Sequence, residues 1–234
     1  IQATLQQLNA VILGKEHTVK LALACLLADG HLLLEDLPGM GKTTLAHALA
    51  QVCGLAYQRV QFTSDLLPSD LIGASIFEPA NGEFRFHQGP LFSQVVLADE
   101  LNRATPKAQS ALLEAMEEQQ VSIDRQTYPL PQPFFVIATQ NPQSQSGTFP
   151  LPESQLDRFL LRISLGYPDP NAEREMLKGR SGRSMLSSLK PILTPSRLQG
   201  LQTLVPQVKL SDALLDYVQR LIAHTRQSEE CHLG

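Results

Sequence analysis

The chain has 234 residues, 43% of them hydrophobic and 18% charged, with a formal net charge of −4. That length supports a core of its own, and 14 Gly with 16 Pro stay well below the roughly 25–30% that marks low-complexity chains, so disorder is excluded as the main state. The longest apolar run, Leu21 to Ala28, falls far short of the roughly 20 residues needed to cross a bilayer, and the mildly acidic balance argues against a surface built to coat phosphate backbones.

Strand-like apolar runs alternate with segments of helical period, which predicts an α/β fold with a mostly parallel sheet between helices. The first helix is expected from about Lys15 to Ala28, with Val19, Leu23, Leu26 and Leu27 on one stripe and Gly30 beyond its end. His31–Leu34 reads as a buried strand, followed by a Gly-rich turn and a helix from Thr43 to Val52. Further strands are expected at Gln58–Phe62, Val95–Ala98, Phe134–Thr139 and Leu160–Leu165, making five. Between residues 64 and 90, two strand-like stretches flank Pro79-Ala80-Asn81-Gly82, a hairpin signal inside an insertion. Thr105-Pro106 begins a helix, and a second hairpin is expected at 121–131. After Gly166 strand signals cease, so a domain boundary is placed there: an α/β core over 1–166 and a small all-helical unit over 167–234. Its helices are expected at Asn171–Lys178, Pro195–Leu204 and Ser211–Gln227, with a Gly/Ser/Arg loop at 179–188. Cys25, Cys53 and Cys231 form neither a CxxC pair nor a disulfide framework. With no charged leader ahead of the first apolar run, a reducing, cytoplasmic setting is expected. The six histidines show no metal-ligand spacing.

The sharpest motif is Asp36-Leu37-Pro38-Gly39-Met40-Gly41-Lys42-Thr43, directly between a predicted strand and a predicted helix. It fits GxxxxGK[ST] except at its first position. Such a loop turns backbone N–H groups around phosphate oxygens while the following helix aims its positive end at them. Lys42 would place a charge on the β- and γ-phosphates, and Thr43 would ligate magnesium. Asp36 stands where the pattern has glycine. It implies either a backbone with φ > 0, which Asp tolerates, or an extra negative charge near the phosphates, and its carboxylate is expected to point away from the nucleotide.

Val95-Val96-Leu97-Ala98-Asp99-Glu100 is an apolar strand ending in two acids. Alone, such an end is a solvated terminus; beside a phosphate loop, Asp99 is expected to hold hydrated Mg²⁺ and Glu100 to orient or deprotonate the attacking water. Phe134 to Asn141 is a third strand with a polar tip, from which Asn141 would reach the water or the γ-phosphate. In Pro152 to Phe159, Arg158 is either a surface ion pair or a residue reaching a neighbouring subunit's nucleotide.

Taken together, these residues resemble the AAA+ ATPases, and within them the MoxR family. The similarity is carried by LLLEDLPGMGKT, QFTSDLLPSDLIG, LADELNRATPKAQSALLEAMEE, FVIATQNP and FPLPESQLDRF, in that order, over residues 11–227. The resemblance implies that Pro38, Gly39, Met40, Gly41, Lys42, Thr43 and Thr44 form the Walker A loop. It makes Asp99 and Glu100 the Walker B pair, Asn141 sensor 1 and Arg158 an arginine finger acting on the next protomer. Ile12 to Gly14 would lie against the adenine, and Arg103 is a family-typical arginine whose role stays open. The segment 64–90 looks like the family's helix-2 insert and 121–131 like its hairpin before sensor 1, both facing the pore or substrate side of a ring. In the family a further arginine, sensor 2, follows a glycine much like Gly234. The chain is therefore expected to stop short of it, with an incomplete lid, weak assembly and poor turnover.

The function this implies is Mg-dependent ATP hydrolysis by a ring, a hexamer by resemblance, that remodels or matures partner proteins, often ones with von Willebrand factor A domains. The main rival is a DNA-dependent motor of the helicase-related type. Its contact hairpins need basic tips, whereas 121–131 carries only Arg125 beside Asp124, and 64–90 carries Arg85 against Asp65, Asp70, Glu78 and Glu83. A small-molecule kinase would share the loop but not Glu100, Asn141 and Arg158 together. A nucleotide-gated binding module would share the loop without useful turnover.

Overall fold

Short strands alternate with helical and inserted segments along the chain, which is the spacing that parallel pairing requires. The computed structural model describes residues 1–79, 82–142, 147–179 and 185–228. The expected turn at 80–81, part of the loop at 179–188, Cys231, His232 and Gly234 lie outside them. In chain order the elements are α1 (Gln2–Val11), α2 (Glu16–Leu27), β1 (Leu32–Glu35), α3 (Lys42–Val52), β2 (Tyr57–Gln61), α4 (Pro68–Ile72), β3 (Gly73–Glu78), β4 (Glu83–Gln88) and β5 (Val95–Asp99). They continue with α5 (Pro106–Glu118), β6 (Gln120–Ile123), β7 (Gln126–Pro129), β8 (Phe135–Gln140), α6 (Glu153–Leu156), β9 (Leu161–Ile163), α7 (Pro170–Leu177), α8 (Pro195–Gln202) and α9 (Asp212–Gln227).

The sheet order is β2-β5-β8-β1-β9, parallel throughout. Alternation along the strands divides the core into two layers. Leu32, Leu34, Val95, Leu97, Phe135 and Ile137 pack against Leu8, Leu23, Leu26, Leu45 and Leu49 of α1–α3. Leu33, Val96, Ala98, Val136 and Ala138 face Ala108, Leu112, Ala115 and Met116 of α5. Fully burying a side chain of the Leu, Val or Phe kind contributes about 1.5–3 kcal/mol, so both faces hold the sheet rigidly. Buried His31 ties the layers together: its Nε2–H donates to the Met116 carbonyl at 3.2 Å and its Nδ1 accepts from the Val136 N–H at 3.0 Å. Burial pushes its pKa down to about 4, so the ring is neutral at pH 7.

Registers Ala98↔Ala138 and Leu33↔Ala138 bring the carboxyl ends of β5, β8 and β1 to one level. Ligands bind outside the carboxyl ends of such parallel sheets, and the three polar tips read from the sequence meet there.

Both expected hairpins form. In β3–β4, Phe77 lies opposite Phe84 and Glu78 opposite Glu83. The base is pinched so tightly that a Cβ on Gly73 would sit 2.1 Å from the His87 carbonyl oxygen. The β6–β7 turn places Asp124 and Arg125 at φ 50° and 66°, the paired positive values that suit the twist of a two-residue hairpin loop. Ser75 donates to Asp124 at 2.6 Å, and Phe86 stacks 4.4 Å from Tyr128, so the hairpins support each other.

Three elements were not expected: α1, α4 and the four-residue α6. α1 begins without a side-chain cap and buries only Thr4, Leu8 and Val11, too sparse a stripe to read in a Gln-rich segment. The five-residue α4 is started by Pro68 and held by the Leu67 N–H donating to Asp70 at 2.8 Å. Compact packing also divides the chain at a different place from the change of composition at Gly166: residues 1–202 form one unit and 203–234 a second. The sheet does end at Ile163, but Leu189, Leu193 and Leu198 join the core against α1–α3, and Gln202 donates to the Leu26 carbonyl at 2.9 Å. In the second unit, Ser211 caps α9 by accepting from the Leu214 N–H.

Candidate functional site

The loop from β1 to α3 closes because Gly39 and Gly41 adopt φ 85° and 90°, left-handed backbone that favours glycine. A Cβ on either would meet nothing within 4 Å, so both face open space where a ligand can approach. Lys42 begins α3 and donates from Nζ to the Asp36 carbonyl at 2.7 Å. Burial holds its pKa below the usual lysine range, against the opposing pull of Asp36, Asp99 and Glu100.

Asp36 keeps an ordinary negative φ, being absent from the positive-φ residues described, so its backbone does not need the glycine of the pattern. Its buried carboxylate accepts from the Ser164 hydroxyl at 2.6 Å, the Leu165 N–H at 2.6 Å and the Gly166 N–H at 3.0 Å. It therefore points away from the inside of the loop, as expected, and anchors the loop to the chain after β9. Asp36→Ala should lower stability by roughly 1–3 kcal/mol, since it strands the buried Leu165 N–H that now meets a charged acceptor, while changing nucleotide affinity less than tenfold. Denaturant unfolding and titration calorimetry measure the two effects separately.

At the tip of β5 the chain turns at Glu100, a non-glycine residue at φ 57°. On a continuing strand the two acids would face opposite ways; this left-handed turn lets both line one cleft. Asp99 Oδ1 accepts from the buried Thr139 hydroxyl at 2.6 Å, and Thr139 Oγ1 accepts from the Glu100 N–H at 2.9 Å. Asp99 Oδ2 is held by Arg59, whose nearer nitrogen lies 2.6 Å away. Glu100 Oε2 accepts from Gln61 and from Arg103, both at 2.9 Å.

Pro38, Gly39, Gly41, Lys42, Thr43, Thr44, Asp99, Glu100 and Asn141 line a single pocket of about 650 Å³, together with Arg59 and Gln61. The lysine and the acidic tip therefore share a cleft. A second, mostly apolar pocket of about 320 Å³ shares Gly39, Gly41 and Thr44 with it and is lined by Val11, Ile12, Leu13, Met40, Tyr167 and Met176. A polar cleft and an apolar slot thus lie on two sides of one glycine loop. A profile of the ATPase family associated with various cellular activities (AAA) matches residues 31–161. The chain belongs to this family.

Among its relatives, the uncharacterized protein YeaC of Bacillus subtilis is 46% identical over 229 residues, covering 98% of this chain and 72% of YeaC. Chaperone MoxR1 of Mycobacterium tuberculosis is 43% identical over 230 residues, 98% of this chain and 60% of MoxR1. A crystal structure of a protein described as a candidate ATPase from Cytophaga hutchinsonii superposes with a TM-score of 0.86 at 40% identity, over 96% of this chain and 68% of that one. The chain thus spans only part of each relative. The resemblance to MoxR proteins carried by the motifs stands.

In this AAA ATPase two of the expected residues lie apart from the pockets. Gly14 is not among the lining residues; a Cβ there would meet Asp169 Oδ2 at 2.5 Å and Ala172 Cβ at 2.8 Å, so it permits α7 to dock. Arg158 pairs with Glu117 of α5 at 2.8 Å and is absent from the phosphate pocket of its own chain. Sequence reading missed Arg59, Gln61, Thr139 and Tyr167. Arg59 and Gln61 sit two apart near the end of β2, with Gln61 in register with Asp99; two polar residues at that spacing before a strand's carboxyl end were the available signal. Tyr167 is placed by Lys15, which donates to its carbonyl, a contact without a sequence pattern.

Proposed function

We propose that this AAA ATPase binds ATP with Mg²⁺ and hydrolyses it at an interface with a second copy in a ring, as a chaperone-like remodeller or maturation factor. The observation that carries the chemistry is the convergence of Lys42, Thr43, Asp99, Glu100 and Asn141 on one pocket. Thr43 and Asp99 supply hydroxyl and carboxylate oxygens, the donor type magnesium takes, so the residues fit that ion. When bound, it would neutralise phosphate charge.

The remaining roles belong to the chain's own groups. The loop's amides and the start of α3 bind phosphate oxygens, and Lys42 adds a positive charge whose field is strengthened by partial burial. Glu100 accepts the proton of the attacking water, and Asn141 orients that water or the γ-phosphate. The apolar slot beside Ile12 receives the base. Arg158, outside its own pocket, supplies positive charge to the neighbour's nucleotide.

The chaperone reading is supported by the name of MoxR1, and client proteins with von Willebrand factor A domains follow from the MoxR resemblance. A DNA motor is disfavoured because Arg85, the basic residue of the first hairpin, lies 3.6 Å from Glu78, and Asp124 flanks Arg125 on the second. No helix among the described residues is long and apolar enough to cross a membrane; the free, buried thiols of Cys25 and Cys53 support a cytoplasmic setting. Lys42→Ala tests the reading: it should weaken binding of a fluorescent ATP analogue at least tenfold with Mg²⁺ present. Unchanged affinity would remove the phosphate loop from the account.

A further inference from the structure

Asp99, the carboxylate best placed for the metal, has both oxygens engaged within the chain. Oδ1 is fixed by the hydroxyl of Thr139, a fully buried residue. That hydroxyl accepts the Glu100 N–H, so its own proton is committed to Asp99. The oxygen left to face the pocket is Oδ2. Arg59 holds it from Nε at 3.1 Å and from a terminal nitrogen at 2.6 Å.

The same terminal nitrogen donates to Gln61 Oε1 at 2.9 Å, and Gln61 donates in turn to Glu100. Asp99, Arg59, Gln61 and Glu100 are therefore linked in one chain of hydrogen bonds. The burial of the pair is lopsided: the Asp99 side chain is 13% exposed and that of Arg59 is 48% exposed. Arg59 belongs to β2, an edge strand, so its guanidinium can swing toward solvent or toward phosphate without disturbing the core. The half-exposed guanidinium is the end free to exchange partners, while Asp99 stays fixed.

From this geometry we infer that Arg59 is a resident counter-cation on the metal carboxylate, which Mg²⁺ displaces when it enters with the nucleotide. Arg59 is thus a positioning residue: it neutralises Asp99 while the metal is away and sets how strongly nucleotide binding depends on Mg²⁺. The inference rests on the proposal that this pocket takes Mg²⁺ with ATP.

The test is equilibrium binding of a fluorescent ATP analogue to wild type and Arg59→Ala across a series of free Mg²⁺ concentrations, including chelator. Arg197→Ala, an exposed position of α8, controls for loss of one positive charge. In Arg59→Ala the bare Asp99 should repel metal-free nucleotide, weakening binding in chelator at least threefold. The free Mg²⁺ giving half-maximal enhancement should fall at least fivefold. Arg59→Gln, which keeps a hydrogen-bond donor without the charge, should shift both values in the same directions, and circular dichroism checks the fold of each variant. If wild type binds with Mg²⁺ dependence and Arg59→Ala matches it or matches Arg197→Ala, the inference fails while the metal reading survives. If wild type shows no Mg²⁺ dependence, both fail. Loss of binding in Arg59→Ala at saturating Mg²⁺ would make Arg59 a phosphate ligand and overturn the inference.

Discussion

Glu100→Gln should lower the rate of ATP hydrolysis by roughly 10²–10⁴, the usual contribution of a positioned general base, while leaving nucleotide affinity unchanged or tighter. Glutamine keeps the length of the side chain and can still accept from Gln61 and Arg103, which both meet Glu100 Oε2 at 2.9 Å. What it loses is the capacity to take a proton. Removing one negative charge from a pocket that receives phosphates also lowers repulsion, which is why affinity should not fall. The fold should be indifferent to the change: the Glu100–Arg103 pair is surface-exposed, 33% and 53% on its two side chains, and such pairs contribute little. Single-turnover hydrolysis and equilibrium binding measure the two sides. Hydrolysis within tenfold of wild type would remove Glu100 from the chemistry, and the left-handed turn at φ 57° would then need another explanation.

That turn also shows where a sequence can be read and where it cannot. The central strands were legible as short continuous apolar runs bounded by turn residues, and the helices that start at a clear cap or Pro because their apolar residues repeat at period 3.6: Thr105-Pro106 starts α5, and β5 is buried along its apolar part. The glycine turn between β1 and α3 was legible because Gly39 and Gly41 take positive φ, which favours glycine. Asp36 was ambiguous because its partners, Ser164 to Gly166, lie far along the chain, and no local pattern encodes a contact made across the sheet. Arg59 and Gln61 were missed for the same reason, since their meaning appears only once β2 pairs with β5 in a register that puts Gln61 beside Asp99. α8 was read as a helix, yet its membership of the first unit depends on Leu198 reaching a core built by α1–α3. Local chemistry is written in local residues; convergence is written in strand order.

Arg158→Ala should leave ATP binding by the chain within about twofold of wild type and abolish hydrolysis in the assembled protein, by roughly 10³ or more if Arg158 acts as other arginine fingers do. The separation of the two effects follows from geometry: Arg158 is outside its own phosphate pocket and rests on Glu117. An ion pair 35% and 58% exposed on its two side chains is cheap to break, so the guanidinium is available to a neighbour's nucleotide. A mixing experiment distinguishes this from a structural role. Arg158→Ala subunits keep Glu100, and Glu100→Gln subunits keep Arg158, so each is inactive alone. Co-assembled, they form interfaces in which an intact Arg158 faces an intact Glu100, and hydrolysis should return in proportion to the fraction of such interfaces. If mixed assemblies form and stay inactive, or if Arg158→Ala loses binding and hydrolysis together, Arg158 acts within its own chain and the ring is not required for the chemistry.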